Sequence, residues 1–278
     1  MSDTRDAPAE YGVIGHPVGH SRSPFIHGIF ARQTGQNLVY RPHDVPPERL
    51  QEFVLEFWKR GGRGLNVTVP HKIAACALVR AMSERATRAG AVNTLLMDPH
   101  GITGDNTDGA GLLRDLTVNL KLSLNGSRIL IAGSGGAARG VIAPLLDESP
   151  GLIVIAGRST ARATELASQF EALGPVAGCA LDAIPEMAFD LIINATSAGL
   201  SGDVPALPQS AITPATFCYD MSYARAGTAF VRWARERGCA RSAQGWGMLV
   251  EQAAESFELW RGVRPDTSAV LTALISGA

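Results

Sequence analysis

Lysine is almost missing from this chain. Of its 25 cationic residues only Lys59, Lys72 and Lys121 are lysines, and arginine supplies the rest. A lysine kept against that background can do what a guanidinium cannot, which is lose its proton near neutral pH. Chance retention explains Lys59, at the end of an amphipathic stretch, and Lys121, in a polar connection; Lys72 has more distinctive neighbours. Cysteine is sparse too. Cys76, Cys179, Cys218 and Cys239 form no CxxC pair, so neither a zinc site nor a thioredoxin-type motif is signalled, and they read as reduced thiols. No apolar run nears the ~20 residues of a membrane span. The polar start MSDTRDAPAE lacks the basic and apolar regions of a signal peptide, so the expectation is a cytoplasmic protein with no membrane partner. The net charge of −1 gives no long-range attraction for nucleic acid, and no such partner is expected.

What is present is a soluble α/β pattern. At 278 residues, 46% apolar and 18% charged, the chain suits two domains. Its organising stretch is Arg128–Arg139, RILIAGSGGAAR, an apolar strand running into a glycine loop and a small-residue helix start. Gly133, Gly135 and Gly136 permit a tight turn and let backbone N–H groups approach a pyrophosphate at the positive end of the helix. Glycine is common in strand-to-helix turns, so context decides. A second strand at Leu152–Ala156 closes a βαβ unit of about thirty residues, which fits a mononucleotide-binding half.

In the N-terminal half, the loop GHPVGHSR (Gly15–Arg22) leads into a helix opened by Ser23 and Pro24. Ser21 and Ser23 can reach an anion or polyol there, although N-capping is the commoner task for such a serine. His16, His20 and His27 have no carboxylate or cysteine cluster beside them, so no metal is expected. The strand GLNVTV (Gly64–Val69) runs into Pro70-His71-Lys72, which sets Lys72 just past a strand's carboxyl end, where open α/β sheets place ligands. Helices are expected over Lys72–Met82 and Glu84–Ala89, and a strand over Ala91–Met97 carries Asn93 and Thr94. GDNTDG (Gly104–Gly109) precedes the helix Ala110–Leu120, so Asp108 reads either as an N-cap worth ~1 kcal/mol or as a catalytic carboxylate, and the two are compatible. Asn194–Ser197 and Asp220–Tyr223 follow further strands, and a long helix at Met248–Trp260 and a last one at Ser268–Ser276 close the chain.

The cofactor's identity is argued from the end of the second strand of the nucleotide half. NAD-selective folds place Asp or Glu there, ~20 residues past the glycine loop; here the residue is Gly157, and no carboxylate follows until Glu165. Arg158, Ser159, Thr160 and Arg162 come instead. Two guanidiniums at a helix N-terminus suit a 2′-phosphate, so NADP is expected over NAD. The plainer alternative is that both arginines are solvated surface residues.

GHPVGHSRSPFIH, NVTVPHK, AGAVNT, GDNTDG, the GSGGA loop, NATSAG, YDMSY and GMLVEQA, taken in order and with their spacing, resemble the shikimate dehydrogenase family over nearly the whole chain. The resemblance implies two α/β domains. Residues 1–120, completed by 247–278, would form a substrate domain with a mostly parallel sheet, to which the C-terminal helices return. Residues 121–246 would form a Rossmann-like NADP-binding domain. It implies NADPH-dependent reduction of 3-dehydroshikimate to shikimate in aromatic amino acid biosynthesis by a monomer or homodimer. Ser21, Ser23, Thr68, Asn93, Asp108, Tyr223 and Gln252 would hold the polyol and carboxylate together with Lys72, and Lys72 with Asp108 would be the catalytic pair. Gly133, Ser134, Gly135, Gly136 and Ala137 would cradle the pyrophosphate, with Met221 and Gly245 beside the nicotinamide. Two departures stand out: His71 is often aromatic in the family, and Gly157 replaces a common asparagine.

The chemistry supports the pair independently. Hydride reduction of a ketone needs a proton donor at the oxygen, and the reverse oxidation needs a base there. Desolvation favours the neutral amine and an adjacent carboxylate the ammonium, so the two groups are expected to titrate as a unit. A non-catalytic nucleotide sensor would not need Lys72 and Asp108. A methylenetetrahydrofolate dehydrogenase/cyclohydrolase would need aromatic stacking for its pterin, where this pocket offers hydroxyl, amide and charged groups. Quinate dehydrogenase, in the same broad family, is the nearest rival.

Overall fold

Strands and helices alternate through most of the chain, and their apolar residues sort them into two bodies. The computed structural model describes residues 7–196 and 203–276. One unit is Met1–Gly111 with Leu249–Ala273, and the other is Leu112–Met248 with Leu274–Ala278.

The first unit runs β1 (Ala9–Gly15), α1 (Ser23–Gln33), β2 (Leu38–Asp44), α2 (Leu50–Lys59), β3 (Gly64–Val67), β4 (Ala81–Met82), α3 (Glu84–Ala89), β5 (Thr94–Asp98), β6 (Gly101–Asp105) and α4 (Asp108–Arg114). Its sheet has the order β2-β1-β3-β5-β6-β4. β1 pairs in parallel with β2 and β3, and β4 with β6, while β5 runs antiparallel to β3 and β6. The core is built on Ile14, Val54, Phe57, Leu65 and Leu95, all fully buried.

The second unit runs β7 (Arg128–Ala132), α5 (Gly136–Asp147), β8 (Leu152–Gly157), α6 (Thr160–Ser168), β9 (Val176–Ala180), β10 (Leu191–Asn194), β11 (Phe217–Asp220), α7 (Ala229–Glu236) and β12 (Arg241–Gln244). All pairings are parallel, in the order β12-β11-β10-β7-β8-β9. Its strands bury both faces. Ile129, Ile131, Ile153, Ile155, Leu191 and Ile193 enter one apolar cluster, and Leu130, Val154 and Ile192 between them enter the other. That is why RILIA and LIVIA are continuous apolar runs without alternation: in a sheet with a core on each face, every position is interior. The order reverses between β7 and β10, and doubly wound sheets bind ligands at the carboxyl ends beside such a switch. α8 (Trp246–Arg261) leaves this unit after Met248, and α9 (Ser268–Ser276) follows.

The structure corrects four local expectations. No helix spans Lys72–Met82. A 3₁₀ turn at Ala74–Leu78 is followed by β4, because Arg80 N bonds Ile102 O at 2.9 Å and Ala81 pairs with Thr103. Ser23 does not cap α1 but is its first residue, and its N–H bonds Ser21 Oγ at 3.3 Å. Asp108 is likewise the first residue of α4, and Asn106 Oδ1 accepts its N–H at 3.1 Å, which frees the Asp108 carboxylate. Finally, the first unit ends at Gly111 and not at the polar stretch after Leu120. Leu112 and Leu116 pack into the second unit's core, and the helix turns into a π-type stretch at Asp115–Asn119. A boundary inside a helix leaves no composition shift to read. At the other end the second unit includes Leu274.

Candidate active site

In the first unit the carboxyl end of β3 and the turn after it carry Thr68 and Lys72, while the loop from β6 into α4 carries Asp108. Lys72 Nζ donates to Asp108 Oδ2 at 2.5 Å, with the side chains only 16% and 5% exposed. Nζ makes no other hydrogen bond among the described residues, so the remaining N–H groups of an ammonium, three in all, are available to a ligand oxygen. Asp108 Oδ1 accepts from Asn93 Nδ2 at 2.9 Å. Asn93 Nδ2 also reaches Thr107 Oγ1 at 2.9 Å and, at 3.5 Å, Gln252 Oε1 on α8. Asn93 Oδ1 is held by Thr107 N and the Thr94 hydroxyl, both at 2.8 Å. Lys72, Asp108, Asn93 and Gln252 are therefore brought together, and the residue between them, Asn93, has its rotamer fixed from both ends.

The network continues through residues the sequence reading did not assign. Asn66 Nδ2 donates to Thr94 Oγ1 at 3.2 Å and to Ser256 Oγ at 2.9 Å, and Asn66 Oδ1 accepts from the Tyr40 hydroxyl at 2.7 Å. The Ser23 hydroxyl hydrogen-bonds that same Tyr40 oxygen, while burial raises the phenol's pKa. A run of buried polar groups thus links Ser23 to the Lys72–Asp108 pair. Asn66 and Thr94 were visible as polar residues in apolar strands; Tyr40 and Ser256 left no such mark. Thr68 is held through its backbone, its N–H on Ile14 O and its carbonyl accepting from His71 N, both at 2.9 Å. His71 is buried and its Nε2 meets Val45 O at 2.7 Å, so this departure from the family pattern anchors the turn that carries Lys72.

A second ionic group braces the same loop. Arg85 Nε bonds Asp105 Oδ1 at 2.6 Å and Arg85 Nη1 bonds Glu255 Oε1 at 2.8 Å, tying GDNTDG to α8. Burial is the largest single influence on each group, yet the guanidiniums of Arg85 and Arg264 hold the Glu255 carboxyl below its usual range, and the Asp105 and Glu255 carboxylates raise the pKa of Arg85.

In the second unit the glycine loop joins β7 to α5. Gly133 has φ +119° and a Cβ there would meet the Ala195 carbonyl at 2.9 Å, so only glycine fits. Nothing approaches the Cβ position of Gly135, the residue before α5, so the space over this helix N-terminus, with Gly136 and Ala137 in its first turn, is open to an anion. At the end of β8, Ser134 Oγ lies 3.0 Å from where a Cβ on Gly157 would be. Arg158 and Arg162 are exposed, and neither side chain has an ion-pair or hydrogen-bond partner among the described residues. Ser159 caps α6 by accepting from Arg162 N at 3.4 Å, which leaves its proton free to donate. Unpaired guanidiniums, an open loop and a helix N-terminus are the chemistry that a phosphorylated dinucleotide requires. Met221 N bonds Asn194 O at 3.0 Å, and Gly245 allows its backbone to approach Met221, whose carbonyl would stand 2.4 Å from a Cβ. Tyr223 also belongs to this unit, its ring centroid 4.4 Å from that of Trp246. Ser197 lies outside the described residues.

Known proteins are similar to this chain in sequence and fold. Three family models match: "Shikimate dehydrogenase substrate binding domain" over residues 13–95, "Shikimate / quinate 5-dehydrogenase" over 116–203 and "Shikimate 5'-dehydrogenase C-terminal domain" over 245–275. The shikimate dehydrogenase (NADP(+)) of Methylococcus capsulatus is 55% identical over 268 residues, covering 96% of each chain. The chain belongs to the shikimate dehydrogenase family. The Hahella chejuensis member is 52% identical, over 96% of this chain and 98% of its own. Among solved structures, an Ael1 enzyme from Pseudomonas putida has TM-score 0.89 and 43% identity over 96% of this chain and 98% of that one. The shikimate 5-dehydrogenase of Thermus thermophilus, in complex with NADP(H) and shikimate, has TM-score 0.86 and 33% identity over 97% and 100%. As expected from the sequence, this family member is an α/β protein with two sheets, mostly parallel. Among the described residues no helix is long and apolar enough to cross a membrane.

Proposed function

We propose that this protein reversibly reduces 3-dehydroshikimate to shikimate with NADPH, and that Lys72 and Asp108 handle the proton. The observation that supports these roles is the buried pair itself, one ammonium–carboxylate contact with donors of Nζ left over. NADPH, when bound, supplies the hydride. The ketone oxygen gains negative charge as its carbon is reduced, and Lys72 Nζ donates the proton that neutralises it. Asp108 orients Nζ and stabilises its charged form, and Asn93 holds Asp108. In the reverse direction the neutral amine accepts the hydroxyl proton.

The first unit, with Ser21, Ser23, Thr68, Asn93 and Gln252, is assigned to the substrate's hydroxyl and carboxylate groups. The second unit is assigned to NADP: Gly133–Ala137 to the pyrophosphate, Arg158, Ser159 and Arg162 to the 2′-phosphate beside Gly157, and Met221 and Gly245 to the nicotinamide. Steady-state rates with shikimate and quinate, each with NADP and NAD, test the reading. Shikimate with NADP should give the highest kcat/KM; a higher value for quinate, or for NAD, would overturn that part of the assignment.

A further inference from the structure

The carboxylate of Asp220 is fully buried at the last residue of β11, and it is built differently from three other buried acids, Asp105, Asp108 and Glu251; a fourth, Asp115, accepts from Asn119 Nδ2 and the Tyr219 hydroxyl. Asp105 meets Arg85, Asp108 meets Lys72, and Glu251 meets Arg264. Among the described residues, no cation is hydrogen-bonded or ion-paired to Asp220. Its Oδ1 accepts from Asn194 Nδ2 at 3.1 Å and from Ser222 N at 3.0 Å, and its Oδ2 makes no hydrogen bond of ordinary geometry. The nearby hydroxyls of Thr228 and Ser222 offset part of the burial, which still leaves the carboxyl pKa above its usual range. A buried charge with neutral neighbours alone is costly, and such charges are ordinarily paired. The expected partner of this one is therefore a cation that the described residues do not provide.

Its position says which cation. The strand ends Ala156, Ala132, Asn194, Asp220 and Gln244 stand in register across the sheet. Asp220 lies on the β10–β11–β12 side of the switch, opposite the β8 side where Arg158 and Arg162 stand. A dinucleotide laid across the carboxyl edge with its phosphorylated ribose over β8 places its other half over β10 and β11. That half is a nicotinamide ring, which is positively charged when oxidised and neutral when reduced. Asn194 and Ser222, which bond Asp220, also bond the neighbours of that edge: Asn194 O accepts from Met221 N and Ser222 O from Gly245 N, both at 3.0 Å.

We propose that Asp220 is an electrostatic selector of the cofactor's redox state, a buried carboxylate that favours the oxidised, positively charged nicotinamide over the neutral reduced ring. The proposal rests on the NADP reading above. It is tested by binding alone, with NADPH followed by its own fluorescence and NADP+ by competition, in wild type and Asp220→Asn. The amide keeps the volume and an acceptor for Asn194 and Ser222 while removing the charge. Acting through an effective protein dielectric of ~20, one buried unit charge is worth on the order of tenfold, so the variant should raise the ratio of Kd(NADP+) to Kd(NADPH) about tenfold. A role limited to tying the β10 and β11 loops together would weaken both forms alike, and an unchanged ratio would overturn the proposal. Asp220→Ser, which leaves a hydroxyl and room for water, carries the same test should the amide variant not fold. Failure of wild type to bind either form would instead remove the NADP reading, and this inference with it.

Discussion

Lys72 and Asp108 neutralise each other inside hydrogen bonds already made, 16% and 5% exposed, whereas Arg158 and Arg162 are exposed with no side-chain partner among the described residues. The difference follows from desolvation. A buried ammonium or carboxylate left alone costs several kcal/mol, so the first unit must assemble its pair before any ligand arrives. An exposed guanidinium is solvated by water and loses little by waiting for a phosphate. A preformed pair suits proton transfer, which depends on orientation; unpaired arginines suit selection, because all their charge remains for the ligand.

The largest expected effect is on turnover. Lys72→Met should lower kcat by ~10²–10⁴-fold, the usual contribution of a general acid–base group, and Asp108→Asn should follow it. A loss of only a few-fold would break the contrast from the catalytic side. Arg158→Ala should weaken NADP binding ~10–100-fold, since a charge-assisted bond is worth ~1.5–3 kcal/mol. It should leave NAD binding and, within ~0.5 kcal/mol, stability unchanged; a large fall in Tm would show a structural partner that the contrast denies.

The first unit's buried polar interior also predicts a pH response. His27 stacks on Tyr40 with centroids 4.1 Å apart, and burial pushes its pKa down from 6.5 to about 3. Above pH 6.5 the ring is neutral in both states and contributes no pH dependence. Between 6.5 and about 3 the unfolded chain takes up a proton that the folded one refuses, so stability falls by up to roughly 1.4 kcal/mol per pH unit. Denaturant melts at several pH values should show His27→Gln with a shallower loss than wild type over this window. An identical slope would mean that His27 titrates normally. The smallest expected effect is that of Ser21→Ala, which should raise KM for shikimate about 3–10-fold with little change in kcat, as one neutral hydrogen bond allows.

How much could be read in advance differs between the same two regions. The glycine turn after β7 and the exposed arginines after β8 were legible because they are local features, backbone conformation and charge within a dozen residues of a strand–turn–helix. The pair was legible as Lys72 and Asp108 separately, each at a strand end, but its bracing was not. Asn66, Tyr40, Thr94 and Ser256 meet across separations as long as the 190 residues between Asn66 and Ser256, and no local pattern marks such a contact. The capping errors have one cause: both Ser23 and Asp108 suit an N-cap, yet Ser21 and Asn106, each two residues earlier, accept the N–H instead. The helix expected over Lys72–Met82 was lost to tertiary pairing of β4 with β6, which overrides local propensity in a short segment.

The division between a preformed proton-handling pair and an arginine site that waits for its ligand is tested most directly by one set of four proteins: wild type, Lys72→Met, Arg158→Ala and the double variant. For each, kcat for 3-dehydroshikimate reduction at saturating NADPH and the Kd for NADPH would be measured. The account predicts that Lys72→Met changes kcat alone, that Arg158→Ala changes Kd alone, and that the double variant shows both losses at full size, as independent sites should. Loss of NADPH affinity in Lys72→Met, or of saturated turnover in Arg158→Ala, would contradict it.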